Sequence, residues 1–151
     1  MNITYRQFKT SDKETVTELI QALAIEDPEG KPYTLEKIHR TFDELTNHQD
    51  KGTILVILDN EEIIGYSILI NFWSNEYGGN ILDIDELYIK PSHRGKGIGT
   101  KFIKYLIDNK FSNSVAVQLE TMPSNDRALQ LYERIGFKLS QSSHLIYDFE
   151  G

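Results

Sequence analysis

The 151-residue chain contains no cysteine. That absence excludes disulfides, thiolate metal sites and any route that parks an acyl group on a cysteine sulfur, and it suits a reducing compartment. Long apolar runs are missing too: no stretch approaches the length that spans a bilayer, and Met1-Asn2-Ile3-Thr4-Tyr5-Arg6 is no basic segment ahead of an apolar one. The expectation is a soluble cytoplasmic protein with no membrane partner. Positive charge is in deficit, with 16 Lys and Arg against 23 Asp and Glu and a formal charge of -7. Neutralising phosphates needs a clustered basic face, so nucleic acid is not expected as a partner, whereas cationic substrates suit the balance. His39, His48, His93 and His144 show no paired ligand spacing, and no metal is expected. Repeats, low-complexity tracts and dividing linkers are absent, which predicts one domain over residues 1–151.

What is present alternates between strand and helix patterns. Asn2 to Phe8 reads as an edge strand. Ser11-Asp12-Lys13-Glu14 reads as a capping box ahead of a helix whose Val16, Leu19, Ile20 and Leu23 share a face, ending near Asp27-Pro28. Thr34 caps a second helix with Leu35, Ile38, Phe42 and Leu45 on one stripe. Strands are predicted over 53–58 and 63–72 around the hairpin residues Asp59-Asn60-Glu61-Glu62, and again over 81–89 after a turn at 73–80. A helix buries Ile98, Phe102, Ile103, Leu106 and Ile107. It is followed by a strand over 114–121 and a last helix, capped by Ser124, that buries Ala128, Leu131, Tyr132 and Ile135 and closes at Gly136. Two terminal strands, 137–140 and 144–149, complete the pattern. The fold class is α/β: a mixed, mostly antiparallel sheet of six to seven strands with helices on both faces.

The stretch SHRGKGIGT, Ser92 to Thr100, sits at one of the strand-to-helix turns, with Gly95, Gly97 and Gly99 at every second position. Bare backbone at a helix N-terminus exposes N–H groups to an anion, and Arg94 and Lys96 add cationic partners for phosphate. Two familiar phosphate loops are excluded by spacing. No Walker string occurs, and G-x-G-x-x-G fails because its last glycine falls on Thr100 or Phe102.

The string Arg94-Gly95-Lys96-Gly97-Ile98-Gly99 fits the Q/R-x-x-G-x-G/A signature of the GNAT N-acetyltransferase superfamily. The run from Asn125 to Phe137, with Tyr132 near its end, resembles that family's second motif, and both stand in order with a strand between them. The resemblance implies a single GNAT-like domain and acetyl-CoA as cosubstrate, its diphosphate on Arg94, Gly95, Lys96, Gly97, Ile98, Gly99 and Thr100. It further implies that the pantetheine arm enters a gap between the strand ending at Tyr88-Ile89 and the strand over 115–121, pairing with the backbone of Leu87 and Ile89 beside Tyr88. Asn125 and Tyr132 join the cofactor set, and the Tyr132 phenol is expected to protonate the departing sulfur.

With no cysteine to carry the acetyl group, direct attack by an amine is the simpler course, and the amine must lose a proton first. Three carboxylates are candidates for the base. Strand alternation puts Asp85 and Glu86 on opposite faces, Glu86 sharing its face with Ile84 and Tyr88, and Glu120 lies on the neighbouring strand. Glu86 is favoured, then Glu120, while similarity of the string around Asp85 and Glu86 to spermidine/spermine acetyltransferases nominates either of those two. Glu26, Asp27 and Glu29 in one loop, and Trp73, Glu76 and Tyr77 in another, suit a cationic amine. The leading expectation is an N-acetyltransferase acting on a primary amine of a small cationic metabolite. A protein N-terminal or lysine acetyltransferase and a non-catalytic acyl-CoA-binding module are the alternatives, and a homodimer is compatible with each.

Overall fold

Five β-branched, apolar segments pair into one sheet in the computed structural model, which describes residues 1–28, 30–122 and 124–150. The strands are β1 (Ile3–Gln7), β2 (Gly52–Asp59), β3 (Glu62–Ser74), β4 (Gly79–Ile89) and β5 (Ala116–Gln118), in the order β1-β2-β3-β4-β5. The first four pair antiparallel, and β5 runs parallel to β4. Two hairpins set the register. Asp59 pairs with Glu62 around an Asn60-Glu61 loop in which Asn60 takes φ 56°, and Ser74 pairs with Gly79 around a turn where Gly78 takes φ 65°.

The described residues divide into two compact units, Met1–Glu120 and Thr121–Gly151. In the first, α1 (Lys13–Glu26) and α2 (Leu35–Asn47) cover one face of the sheet. Val16, Leu19, Ile20, Ile38, Phe42 and Leu45 from these helices pack with Ile54, Val56, Leu58, Tyr66, Ile68 and Tyr88. Each such fully buried side chain contributes about 2–3 kcal/mol by leaving water. The alternate residues Leu55, Ile57, Ile64, Leu69 and Leu82 are buried on the opposite face, where α3 (Ile98–Asp108) brings Phe102 against Tyr5 at a centroid distance of 5.2 Å. The second unit holds α4 (Asp126–Ile135).

Several expectations are corrected. The sheet has five strands among the described residues rather than six to seven, because 137–140 and 144–149 form none. Alternation makes a strand only where a partner ladder and a buried face exist, and Leu139, Leu145, Ile146, Tyr147 and Phe149 stay 73% to 95% exposed. The strand expected over 114–121 shrinks to Ala116–Gln118. The capping box at Ser11 does not form. Thr10–Asp12 is a 3-10 turn, and the buried Asp12 carboxylate instead accepts from Arg6 Nη1 (2.7 Å), Arg6 Nη2 (3.0 Å) and Lys9 N (2.9 Å). At α4 the cap is Asn125, whose Oδ1 accepts from Ala128 N at 3.1 Å, one residue beyond Ser124. The apolar side chains of that helix are half-buried rather than buried, and Leu35 and Ile107 are exposed. The Thr34 cap and the Gly136 stop form as read from the sequence.

Candidate active site

The chain leaves β4 at Ile89, turns through Pro91–His93 and enters α3 through Arg94 to Gly97. Gly95 and Gly97 take φ 77° and 76°, a left-handed geometry that favours glycine, and Gly97 is the N-cap. The first helical bond runs from Lys101 N to Gly97 O at 3.0 Å, so the N–H groups of Ile98, Gly99 and Thr100 precede it. A Cβ built at Gly95, Gly97 or Gly99 meets no atom within 4 Å. Their lack of side chains therefore keeps space open over these donors rather than relieving a clash. Ile98 is buried and anchors the helix, whereas Lys96 is exposed.

The loop is braced from behind. His93 Nε2 lies 3.2 Å from Asp59 Oδ2, and Asp59 Oδ1 accepts from Asn2 N at 3.1 Å. Arg94 spends its guanidinium within the chain: Nε donates to Ile89 O at 2.8 Å, Nη1 and Nη2 donate to the two Glu26 oxygens at 2.7 and 2.9 Å, and its carbon lies 5.1 Å from the Tyr88 ring centroid. The guanidinium in turn holds the Glu26 carboxyl below its ordinary range. Glu26 closes α1, so this pair joins the end of that helix to the glycine loop.

The acids of β4 are arranged by a bulge. Ile68 pairs with Glu86 while Leu69 pairs with Ile84, leaving Asp85 as the extra residue. Alternation across Asp85 is thereby broken: Glu86 shares the Tyr66 and Tyr88 face, and Ile84 lies on the other, contrary to the simple period-2 reading. Tyr66, fully buried, donates its hydroxyl to Glu86 Oε1 at 2.7 Å. Burial pushes the Glu86 carboxyl up, hydrogen bonds from the Tyr66 and Tyr33 phenols pull it back, and Asp85 raises it further. The same surroundings push Tyr33 up to about 12, through burial first and the Glu86 charge second. Asp85, although exposed at the strand surface, is raised by the protein around it and then by the charges of Asp83 and Glu120. Asp83 is raised by burial and by Glu120, against a hydrogen bond from Gln118. Asp83, Asp85 and Glu120 thus form one electrostatic group, and Glu86 with its two tyrosines forms another.

Pairing between β4 and β5 ends at Asp83 with Gln118. From Ile84 to Ile89 the β5 side of β4, including Leu87, Tyr88 and Ile89, has no strand partner among the described residues. Trp73, Glu76 and Tyr77 belong to the hairpin at the other end of β4, where Trp73 pairs with Asn80. Glu86 lies six positions on from Asn80, roughly 20 Å of strand, so the geometry does not bring that hairpin to the Glu86 carboxylate. Asp27 caps α1, and Glu29 lies outside the described residues. In the second unit Tyr132 occupies the last turn of α4. Its ring lies 5.9 Å from that of Phe137, its carbonyl accepts from Gly136 N and Phe137 N, and burial raises its phenol. Among the described residues no group of three or more His, Asp or Glu is set to hold a metal, and no helix is long and apolar enough to cross a membrane.

Tyr33 and Tyr66 were not singled out from the sequence. For Tyr66 the signal was a tyrosine, followed by Ser67, amid the mostly apolar Ile63 to Ile70 run, because a buried phenol needs a hydrogen-bond partner.

The loop, the broken β4–β5 ladder and the acid-bearing bulge meet in a recognised family. Residues 16–137 match the model of the acetyltransferase (GNAT) family, and the chain belongs to that family. It is 29% identical over 119 residues to an aminoglycoside N(6')-acetyltransferase type 1 of Klebsiella pneumoniae, a match spanning 73% of this chain and 59% of that protein. A thialysine N-epsilon-acetyltransferase of Bos taurus is 32% identical over 75 residues, 49% of this chain and 44% of the relative. In fold, the chain superposes on a possible acetyltransferase from Clostridium difficile 630 with a TM-score of 0.84 at 23% identity, covering 98% of each.

Proposed function

We propose that the chain is an acetyl-CoA-dependent N-acetyltransferase that acetylates a primary amine of a small cationic metabolite by direct attack. The observation that carries the reading is the Glu86 carboxylate at the β4 bulge, raised by burial, three residues before the end of the strand that leads into the glycine loop. The names of the two curated relatives put acetyl groups on amino nitrogens, N(6') and N-epsilon, which supports the same acceptor chemistry.

The loop fits a diphosphate. Open space over Gly95, Gly97 and Gly99 admits phosphate oxygens to helix N-terminal donors, with Lys96 beside them. Acetyl-CoA, when bound, supplies the acetyl thioester. The backbone of Leu87 and Ile89 would hold its pantetheine arm, and Ile98 and Thr100 would offer N–H groups to the diphosphate while Arg94 braces the loop through Ile89 and Glu26. One backbone N–H there, aimed at developing negative charge, is worth about 3 kcal/mol of barrier. Glu86 takes the proton of the acceptor ammonium, a step helped by a carboxyl that titrates closer to neutrality than usual. Asp85 adds negative charge beside it, and the neighbouring group of Asp85, Asp83 and Glu120 attracts the cation, with Glu120 and Asp85 as rivals for the proton. For the proton that the departing sulfur takes up, Tyr132 is our candidate on its match to the family's second motif alone. The test is incubation with acetyl-CoA and a series of primary amines, with the product read by mass spectrometry. A single acetyl group on an amino nitrogen is expected, and transfer to hydroxyls alone contradicts the reading.

A further inference from the structure

Two consecutive residues of β3 grip Glu86 at both ends. Tyr66 donates to the carboxylate at 2.7 Å, and Ser67 Oγ donates to the Glu86 carbonyl oxygen at 2.8 Å. Both are fully buried, and consecutive strand residues face opposite sides, so the side chain and the main chain of Glu86 are held from the two faces of the sheet. They act at the bulge, where the regular ladder no longer dictates where a side chain aims. The Tyr66 ring belongs to the core, and phenylalanine would fill the same space without a hydroxyl to satisfy. What the hydroxyl adds is a fixed partner for one carboxylate oxygen.

We propose that Tyr66 is a positioning residue for acetyl transfer: it locks the Glu86 carboxylate in one orientation and keeps it ionisable, with the face opposite Tyr66 turned to the acceptor ammonium. The proposal rests on Glu86 receiving the acceptor proton. The groups facing Glu86 are Tyr66 from β3, Tyr33 from the segment between α1 and α2, and Asp85 from β4 itself, with Asp27 acting on Tyr33. Tyr33 is 40% exposed, so its phenol is free to yield its place when an amine arrives, whereas Tyr66 is not.

Removing the Tyr66 hydroxyl removes a donor that favours the charged carboxylate, so Glu86 should titrate higher. The experiment compares the parent with Tyr66→Phe in two ways. Carbon-13 titration of the Glu86 carboxyl, assigned through Glu86→Gln, needs no substrate. The pH dependence of kcat/KM is measured with a diamine, thialysine and an aminoglycoside as probes. Both should move upward together by about one pH unit, with kcat/KM lowered about tenfold on the acid side and recovering in base. A tyrosine that only packs would scale the rate equally at every pH and leave the titration unmoved, which overturns the proposal. A carboxyl titration that moves while the rate profile does not also overturns it. If the parent transfers acetyl to none of the probes, the functional reading fails and the positioning role falls with it, while the carbon-13 titration separately reports whether Tyr66 and Glu86 are coupled. Should Tyr66→Phe not fold, 3-fluorotyrosine at position 66, a stronger donor of nearly the same shape, must shift both curves downward.

Discussion

At Asp12 a single buried carboxylate accepts three hydrogen bonds, two from Arg6 and one from Lys9 N, and the Arg6 bond above all holds it below the usual carboxylate range. Stability from such a group is present above its unfolded pKa and lost as pH falls through the folded one. Asp12→Ala should cost about 3 kcal/mol in urea unfolding at pH 7, and progressively less as pH falls below the ordinary carboxylate range. Glu86 has the opposite sign. Its raised carboxyl contributes stability below the unfolded pKa, and that contribution fades as pH rises through the folded value. Glu86→Gln, which keeps an acceptor for Tyr66, should therefore melt higher than the parent at pH 8, with the gap closing toward pH 4. At Tyr132 the expected effect is kinetic: Tyr132→Phe should leave CoA affinity unchanged in calorimetry and slow turnover by roughly two to four decades if the phenol is the acid. The candidate acids were legible as residues, since carboxylates stand out among apolar strand neighbours. Their grouping was not, because it depends on which partners the fold brings across from Tyr33, Tyr66 and Glu120.

Among elements, the strand-to-helix glycine loop was readable because its chemistry is local: Gly95 and Gly97 adopt the left-handed angles that their identity permits. The β4 bulge was not readable, since nothing in Ile84-Asp85-Glu86 distinguishes a regular strand from one that slips against Ile68 and Leu69. The terminal strands failed for a related reason, as alternation over 144–149 says nothing of whether a partner edge is at hand. The loop geometry also selects the cleaner probe of cofactor binding. A side chain at Gly97 brings backbone strain of about 1–2 kcal/mol on top of any clash with a ligand. Gly99 has no positive φ, and its Cβ direction is open. Gly99→Val should keep the fold yet weaken CoA binding roughly 100-fold by calorimetry, through loss of charge-assisted bonds to helix N–H groups. Unchanged affinity would remove the diphosphate from this loop.

For the whole molecule, order of elements and net charge carried the most. The α/β arrangement with helices on both faces followed from the hydrophobic periods, and the excess of acid, -7 overall, is consistent with the group of Asp83, Asp85 and Glu120 and with Glu86 next to it in the strand. Acceptor identity was not legible, since it depends on the shape of the space around those acids. The most direct measurement is the initial rate of CoA thiol release from acetyl-CoA with matched acceptors: a diamine, the corresponding amino alcohol and diol, and a neutral peptide amine. Rates that require an amine, rise with acceptor positive charge and fall with added salt are predicted. Tight CoA binding with no amine-dependent thiol release from any acceptor would contradict the account and leave an acyl-CoA-binding module in its place.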